Sequence, residues 1–186
     1  MDSDIDCGQS GQGQGLTGSR SWLLAKGFTQ IGSIAHLQAN GIPDAAGLER
    51  PGVYGVVRCG EKAPQFVSPS DARRAGNVIR PHPVADLRLR WVSGAEVVYI
   101  GAVGTKKRPR SLRLRLRELI KHSLGQTSSN GPHKGGEMLW QMGGYGALQI
   151  LVLATDGPPA PKQTEQALIR EFEEFFGKSP FANRQR

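Results

Sequence analysis

Three runs rich in β-branched and apolar residues, 53–57 (VYGVV), 96–101 (EVVYIG) and 147–154 (ALQILVLA), have the length and composition of strands. Helical periodicity fills much of the chain that separates and follows them. Leu112, Leu116, Leu119 and Ile120 recur at i, i+4, i+7 and i+8 in a helix that Gly125 ends. A last helix, with Thr164 as its expected N-cap, runs to Phe176 and is stopped by Gly177 and Pro180. Strands interrupted by helices, and too few of them for a doubly wound sheet, predict a small α+β domain.

The remaining segments bound that domain. Residues 1–20 are rich in Gly, Gln and Ser with few apolar side chains, and read as a flexible tail that cannot offset the entropy of ordering. Residues 21–186 read as one domain. Phe28, Ile31 and Ile34 stand three apart, which predicts a short helix or an irregular packed segment within 22–48. Between residues 58 and 83 four prolines and scattered charge predict a long loop, closed by a short helix carrying Leu87 and Trp91 at i, i+4.

Several function classes find no support. Cys7 and Cys59 lie far apart with no zinc-type spacing, so neither a disulfide framework nor a structural zinc is expected. The acidic start, with Asp2, Asp4 and Asp6, is not a leader, and no apolar run approaches a membrane span of roughly 18 residues. A cytoplasmic protein without a membrane partner is the expectation. The same three aspartates lack the turn glycine and the closing glutamate of a calcium loop, and Gly13, Gly15 and Gly18 follow no strand, as a dinucleotide fingerprint requires.

The net charge is +8, and nearly all of it is local. Lys106, Lys107, Arg108, Arg110, Arg113, Arg115, Arg117 and Lys121 share one stretch with a single acid, Glu118. Such a stripe attracts a polyanion and releases its counterions, the sequence-independent part of nucleic-acid binding. The plainer alternative is a solvated helix face.

Two charged residues fall where apolar ones belong. Glu165 precedes Leu168 by three and Phe172 by seven, on the face that Phe175 and Phe176 extend, whereas Glu171, Glu173 and Glu174 fall to its flanks or opposite. A carboxylate there must meet a cation or a metal, or else complement the helix dipole near the N-terminus. Arg115 lies at the margin of the leucine stripe, where it could hold a phosphate with its planar fork or merely snorkel. His122, on the same margin, reads as a surface histidine.

Gly52-Val53-Tyr54 and Tyr99-Ile100-Gly101 resemble the two signature triplets of the GIY-YIG nuclease superfamily. Leu112-Arg113-Leu114-Arg115-Leu116 is similar to its L-x-x-R-L helix, Glu165-Gln166-Ala167-Leu168-Ile169 to its E-x-x-L-I helix, and Pro180-Phe181-Ala182-Asn183 to its P-x-x-N segment. The resemblance implies a central, mainly antiparallel three-stranded sheet flanked by helices. It also implies an endonuclease, a hydrolase of DNA phosphodiester bonds, using one Mg²⁺ or Mn²⁺ held by Glu165. Tyr54 would be the base or would orient the attacking water, Arg115 would clamp the scissile phosphate, Tyr99 would position a phosphate or the leaving group, and Asn183 would support the site. Lys106, Lys107, Arg108, Arg110, Arg113 and Arg117 would hold the DNA backbone. Cutting both strands would take a homodimer or a second visit.

This chain departs from the pattern in four places, the mildest being Val53 where the first triplet has isoleucine. Tyr54 and Tyr99 are 45 residues apart, so about 58–95 would be an insertion that leaves and rejoins the sheet, as in restriction-enzyme-like branches. Ala102 stands where many members carry a lysine. The interval from Glu165 to Asn183 is long, which makes Glu171 a rival for the metal. Ala102 also favours an alternative function, a non-catalytic nucleic-acid-binding module of the same fold. A structural or protein-interaction domain with a basic surface is the third reading.

Overall fold

The run 52–57 is buried along its whole length because it is an inner strand covered on both faces. The computed structural model describes residues 18–60, 63–68, 73–74, 77–78, 81–104, 110–126, 134–155 and 157–183. Their elements are α1 (Ser19–Ala25), β1 (Thr29–Ser33), α2 (Ile34–Asn40), β2 (Gly52–Val57), β3 (Arg73–Arg74), β4 (Asn77–Val78), α3 (Val84–Arg90), β5 (Val97–Val103), α4 (Leu112–Ser123), α5 (Lys134–Leu139), β6 (Gln149–Ala154) and α6 (Pro161–Phe176). Among the described residues no helix is long and apolar enough to cross a membrane.

The α+β class holds, but the main sheet has four strands rather than three, in the order β1-β6-β2-β5, with every neighbouring pair antiparallel. The additional strand is β1. Its apolar spacing looks helical because the register shifts between Gln30 and Gly32, and because Ser33 ends the strand as the N-cap of α2, accepting from the His36 N–H at 3.1 Å.

Two other boundaries also differ from expectation. Ser19 and Arg20 belong to α1, so the proposed tail ends earlier, and its residues 1–17 lie outside the described residues. The last helix begins at Pro161, whose fixed φ suits the first helical position, and the Gln163 side chain caps the Ala160 N–H at 3.0 Å. Thr164 therefore sits inside the helix. Gly177 ends it at φ 69°, as expected.

Each face of the sheet has its own core. On one, Tyr54, Val56, Ile150 and Val152 pack with Leu112, Leu116 and Leu119 of α4, Ile34 and Leu37 of α2, and Trp140. On the other, Val53, Val57, Ile100 and Leu151 pack with Trp22 and Leu23 of α1 and Leu168 and Phe172 of α6. Phe175 is 57% exposed and takes no part in that core, contrary to its helical phase.

The segment between β2 and β5 leaves and returns at one point, where the Arg58 N–H donates to the Glu96 carbonyl at 2.8 Å. Within it, α3 delivers Leu87 to the core, and Phe66 stacks on Phe181 at 5.3 Å while Trp91 meets Phe181 edge-on at 6.0 Å. The insertion is thereby packed against the residues that follow α6.

Candidate active site

Tyr54 and Gly101 face each other across β2 and β5. Directly opposed residues share a face of the sheet, so the Tyr54 ring crosses the position a side chain at 101 would fill. A Cβ there would come within 2.7 Å of Tyr54 Cζ and 2.8 Å of its hydroxyl oxygen. The glycine of the second triplet thus makes room for the tyrosine of the first. Two residues earlier on β5, Tyr99 lies on the same face, its ring centroid 5.7 Å from that of Tyr54. Val98 is the extra residue where the register shifts, and such a bulge re-aims the side chain beside it.

Gly52 plays the corresponding part for Arg115. A Cβ at 52 would meet the Leu153 carbonyl oxygen at 2.2 Å and Leu112 Cδ1 at 2.8 Å, so the glycine lets the first turn of α4 rest on β2. Ser111 caps that turn, accepting from the Leu114 N–H at 3.2 Å, and the Leu112 and Arg113 N–H groups bond to the Arg50 and Leu48 carbonyls. Arg115 follows one turn later. Its guanidinium lies close enough to the Tyr54 phenol to act on its ionisation, as Tyr99 also does, and its Nη1 is 3.6 Å from Glu118 Oε2. Its Nε is buried with no hydrogen-bond partner among the described residues.

Charge is finely balanced in this cluster. Burial raises the Tyr54 phenol well above its ordinary value, Tyr99 adds to the rise, and Arg115 opposes it. Tyr99 is likewise raised by burial, against the pull of its bond to Tyr54 and of Arg115, with the Glu165 charge pushing it further up. Burial works against the Arg115 cation, while Tyr54, Tyr99 and Glu118 shift it the other way with a net rise, and the guanidinium is charged at ordinary pH.

Glu165 comes from α6, on the opposite face of the sheet, and α6 packs chiefly on the edge strand β5. It is 8% exposed, as its helical phase required. Its carboxylate acts electrostatically on Tyr99 and is ion-paired with Lys162 one turn earlier. Asn183 is buried against the outer edge of β5 and holds the backbone of Ile100. Tyr54, Tyr99, Arg115 and Glu165 are therefore linked by contact and charge, while Asn183 supports the strand that carries Tyr99.

Other sequence candidates have different surroundings. Glu171 accepts from Trp22 Nε1 at 2.8 Å and pairs with Lys26, tying α6 to α1. Of the two carboxylates, Glu165 is the one whose charge acts on Tyr99. Arg113 pairs with Asp44 and Glu49 and donates to the Ile42 carbonyl, joining α4 to the chain before β2. Arg110 pairs with Glu118, and Arg117 is exposed. Lys106, Lys107 and Arg108 lie outside the described residues. His122 is fully buried rather than on the surface, its Nδ1 accepting from Trp140 Nε1 at 2.9 Å, because α5 leads a tryptophan back over the margin of α4.

Lys162, which the sequence reading did not single out, pairs with Glu165, and its i, i+3 spacing to that residue is the signal that could have found it.

Among the described residues there is no group of three or more His, Cys, Asp or Glu side chains that could hold a metal ion together. A cation at Glu165 would thus be held by one protein carboxylate, with water and substrate oxygens completing its shell, a set that suits Mg²⁺. The Lys162 ammonium on Glu165 marks the carboxylate as a place where positive charge is accepted. Compared with protein-family models, curated proteins and solved structures, the chain matches none.

Proposed function

We propose that this chain is a divalent-metal-dependent DNA endonuclease of the GIY-YIG type. The observation that carries the reading is the convergence of Tyr54, Tyr99 and Arg115 on one face of the sheet, the two rings 5.7 Å apart, with the buried Glu165 carboxylate acting on Tyr99 from the adjoining helix. The two phenols, the cation and the carboxylate belong to the elements that the GIY-YIG resemblance names.

Hydrolysis adds water to phosphorus and breaks one ester P–O bond, so negative charge gathers on the phosphoryl oxygens as a proton leaves the water. Arg115 meets that charge: it stays cationic, and its Nε, buried and without a partner among the described residues, is the donor a phosphoryl oxygen would engage on entering the site. Tyr54 and Tyr99 set two phenols side by side near that charge, and Tyr54 orients the water or receives its proton. Burial keeps both phenols neutral at ordinary pH, so neither is a strong base until positive charge lies nearby. A divalent ion held by Glu165 would supply that charge and polarise the phosphoryl oxygen. Arg110, Arg117 and the basic residues before them hold the DNA backbone, without reading its bases.

Incubation of supercoiled plasmid with the protein and Mg²⁺ or Mn²⁺ tests this. Nicking is expected from the wild type, with losses of about a hundredfold or more in Arg115→Ala and Glu165→Ala. Cleavage at full rate by Glu165→Ala would remove the metal assignment.

Tyr54 has no exposed surface, and this favours a second reading, a DNA-binding module without catalysis. That reading predicts salt-sensitive DNA binding and no metal-dependent nicking.

A further inference from the structure

Lys162 is out of place by the usual rules of helix electrostatics. The first turn of α6 contains no acid, and the positive end of the helix dipole there favours anions over cations. What accounts for a lysine at this point is Glu165, whose carboxylate it pairs with from one turn away. The two partners are unequal. The Glu165 side chain is 10% exposed and fixed on the packed face of α6, while that of Lys162 is 63% exposed on a long flexible stem. The acid stays where it is, and the lysine can turn into solvent at little cost.

A buried carboxylate needs a positive partner. Among the described residues the ammonium of Lys162 is the only cation paired with Glu165. We propose that Lys162 is a built-in counter-cation: it occupies the carboxylate while the metal is absent and is displaced when a divalent ion binds, so that it sets the metal affinity of the site. This rests on the assignment of the metal to Glu165. The bound ion must separate the ammonium from Glu165, and its affinity is lowered by the strength of that pair and by the nearby positive charge. Lys162 is in this respect a positioning residue, since it acts through the carboxylate.

The test is Mn²⁺ binding to the full chain, followed by the electron paramagnetic resonance signal of the free ion in the absence of DNA. Lys162→Met should bind Mn²⁺ about two- to fivefold more tightly than the wild type, in keeping with the strength of a part-exposed ion pair. Lys162→Arg, which keeps the charge, should stay near the wild type, and Glu165→Gln should lose the site. Thermal melting adds a readout that does not depend on cleavage: Mn²⁺ should raise the melting temperature of Lys162→Met more than that of the wild type. Wild-type or weaker affinity in Lys162→Met, with binding still lost in Glu165→Gln, would overturn the role of Lys162 and leave the metal at Glu165. Binding that Glu165→Gln leaves unchanged would overturn both.

Discussion

Asn183 closes both backbone hydrogen bonds of Ile100, its Oδ1 accepting from the N–H at 2.9 Å and its Nδ2 donating to the carbonyl at 2.8 Å. The Ala182 N–H does the same for the Val98 carbonyl at 2.8 Å. β5 is an edge strand, so without these bonds its outer polar groups would lie buried and unpaired on either side of Tyr99. Asn183→Ala should therefore cost about 1–3 kcal/mol for the groups it leaves unsatisfied. Asn183→Asp keeps the acceptor but sets a carboxylate against the Ile100 carbonyl, and should be no better. Urea unfolding measures both. If the strand also carries the catalytic tyrosine, plasmid nicking should fall in each variant under conditions where it remains folded.

Gly101→Ala tests how tightly the two triplets fit. The added methyl would stand less than 3 Å from the Tyr54 ring, which is rigid and enclosed. A loss of about 1–3 kcal/mol is expected from overpacking, with a displaced tyrosine and reduced nicking. Gly157→Ala is the control, since a Cβ there meets no atom within 4 Å and its stability should change little. Equal effects at the two glycines would contradict the packing described for Tyr54.

Stability at alkaline pH reports on the buried phenols. An unfolded tyrosine ionises near pH 10, whereas folding raises Tyr54 and, to a lesser degree, Tyr99 above that value. The contribution of each neutral phenol is complete below about pH 10 and is lost as pH rises toward the folded value, at up to ~1.4 kcal/mol per unit. Tyr54→Phe removes one such group. Urea midpoints at pH 8 and pH 11 should fall less in this variant than in the wild type, and an equal fall would show that Tyr54 is not held neutral by burial.

Much of this arrangement was legible in the sequence because helical phase follows burial along most of α4 and α6, Phe175 excepted. It put Glu165 on the packed side of α6, and α4 lies on the sheet by the leucines that its spacing identified. It failed where local pattern competes with tertiary context. β1 reads as helix because a register shift and an immediate N-cap replace strand alternation with a spacing of three. His122 is buried only because Trp140, eighteen residues on, closes over it. The convergence of Tyr54, Tyr99 and Arg115 depends on the pairing of β2 with β5, which no local signal specifies across the intervening segment.

Residues 181–183 follow every strand and helix of the fold in sequence, yet they complete the edge of β5 and, through Phe181, receive Phe66 and Trp91. During synthesis the strand bearing Tyr99 thus waits with a bare outer edge until those residues emerge from the ribosome. The tyrosine cluster is therefore completed only after every described strand and helix has been translated, because its supporting strand is closed by residues that come later than all of them.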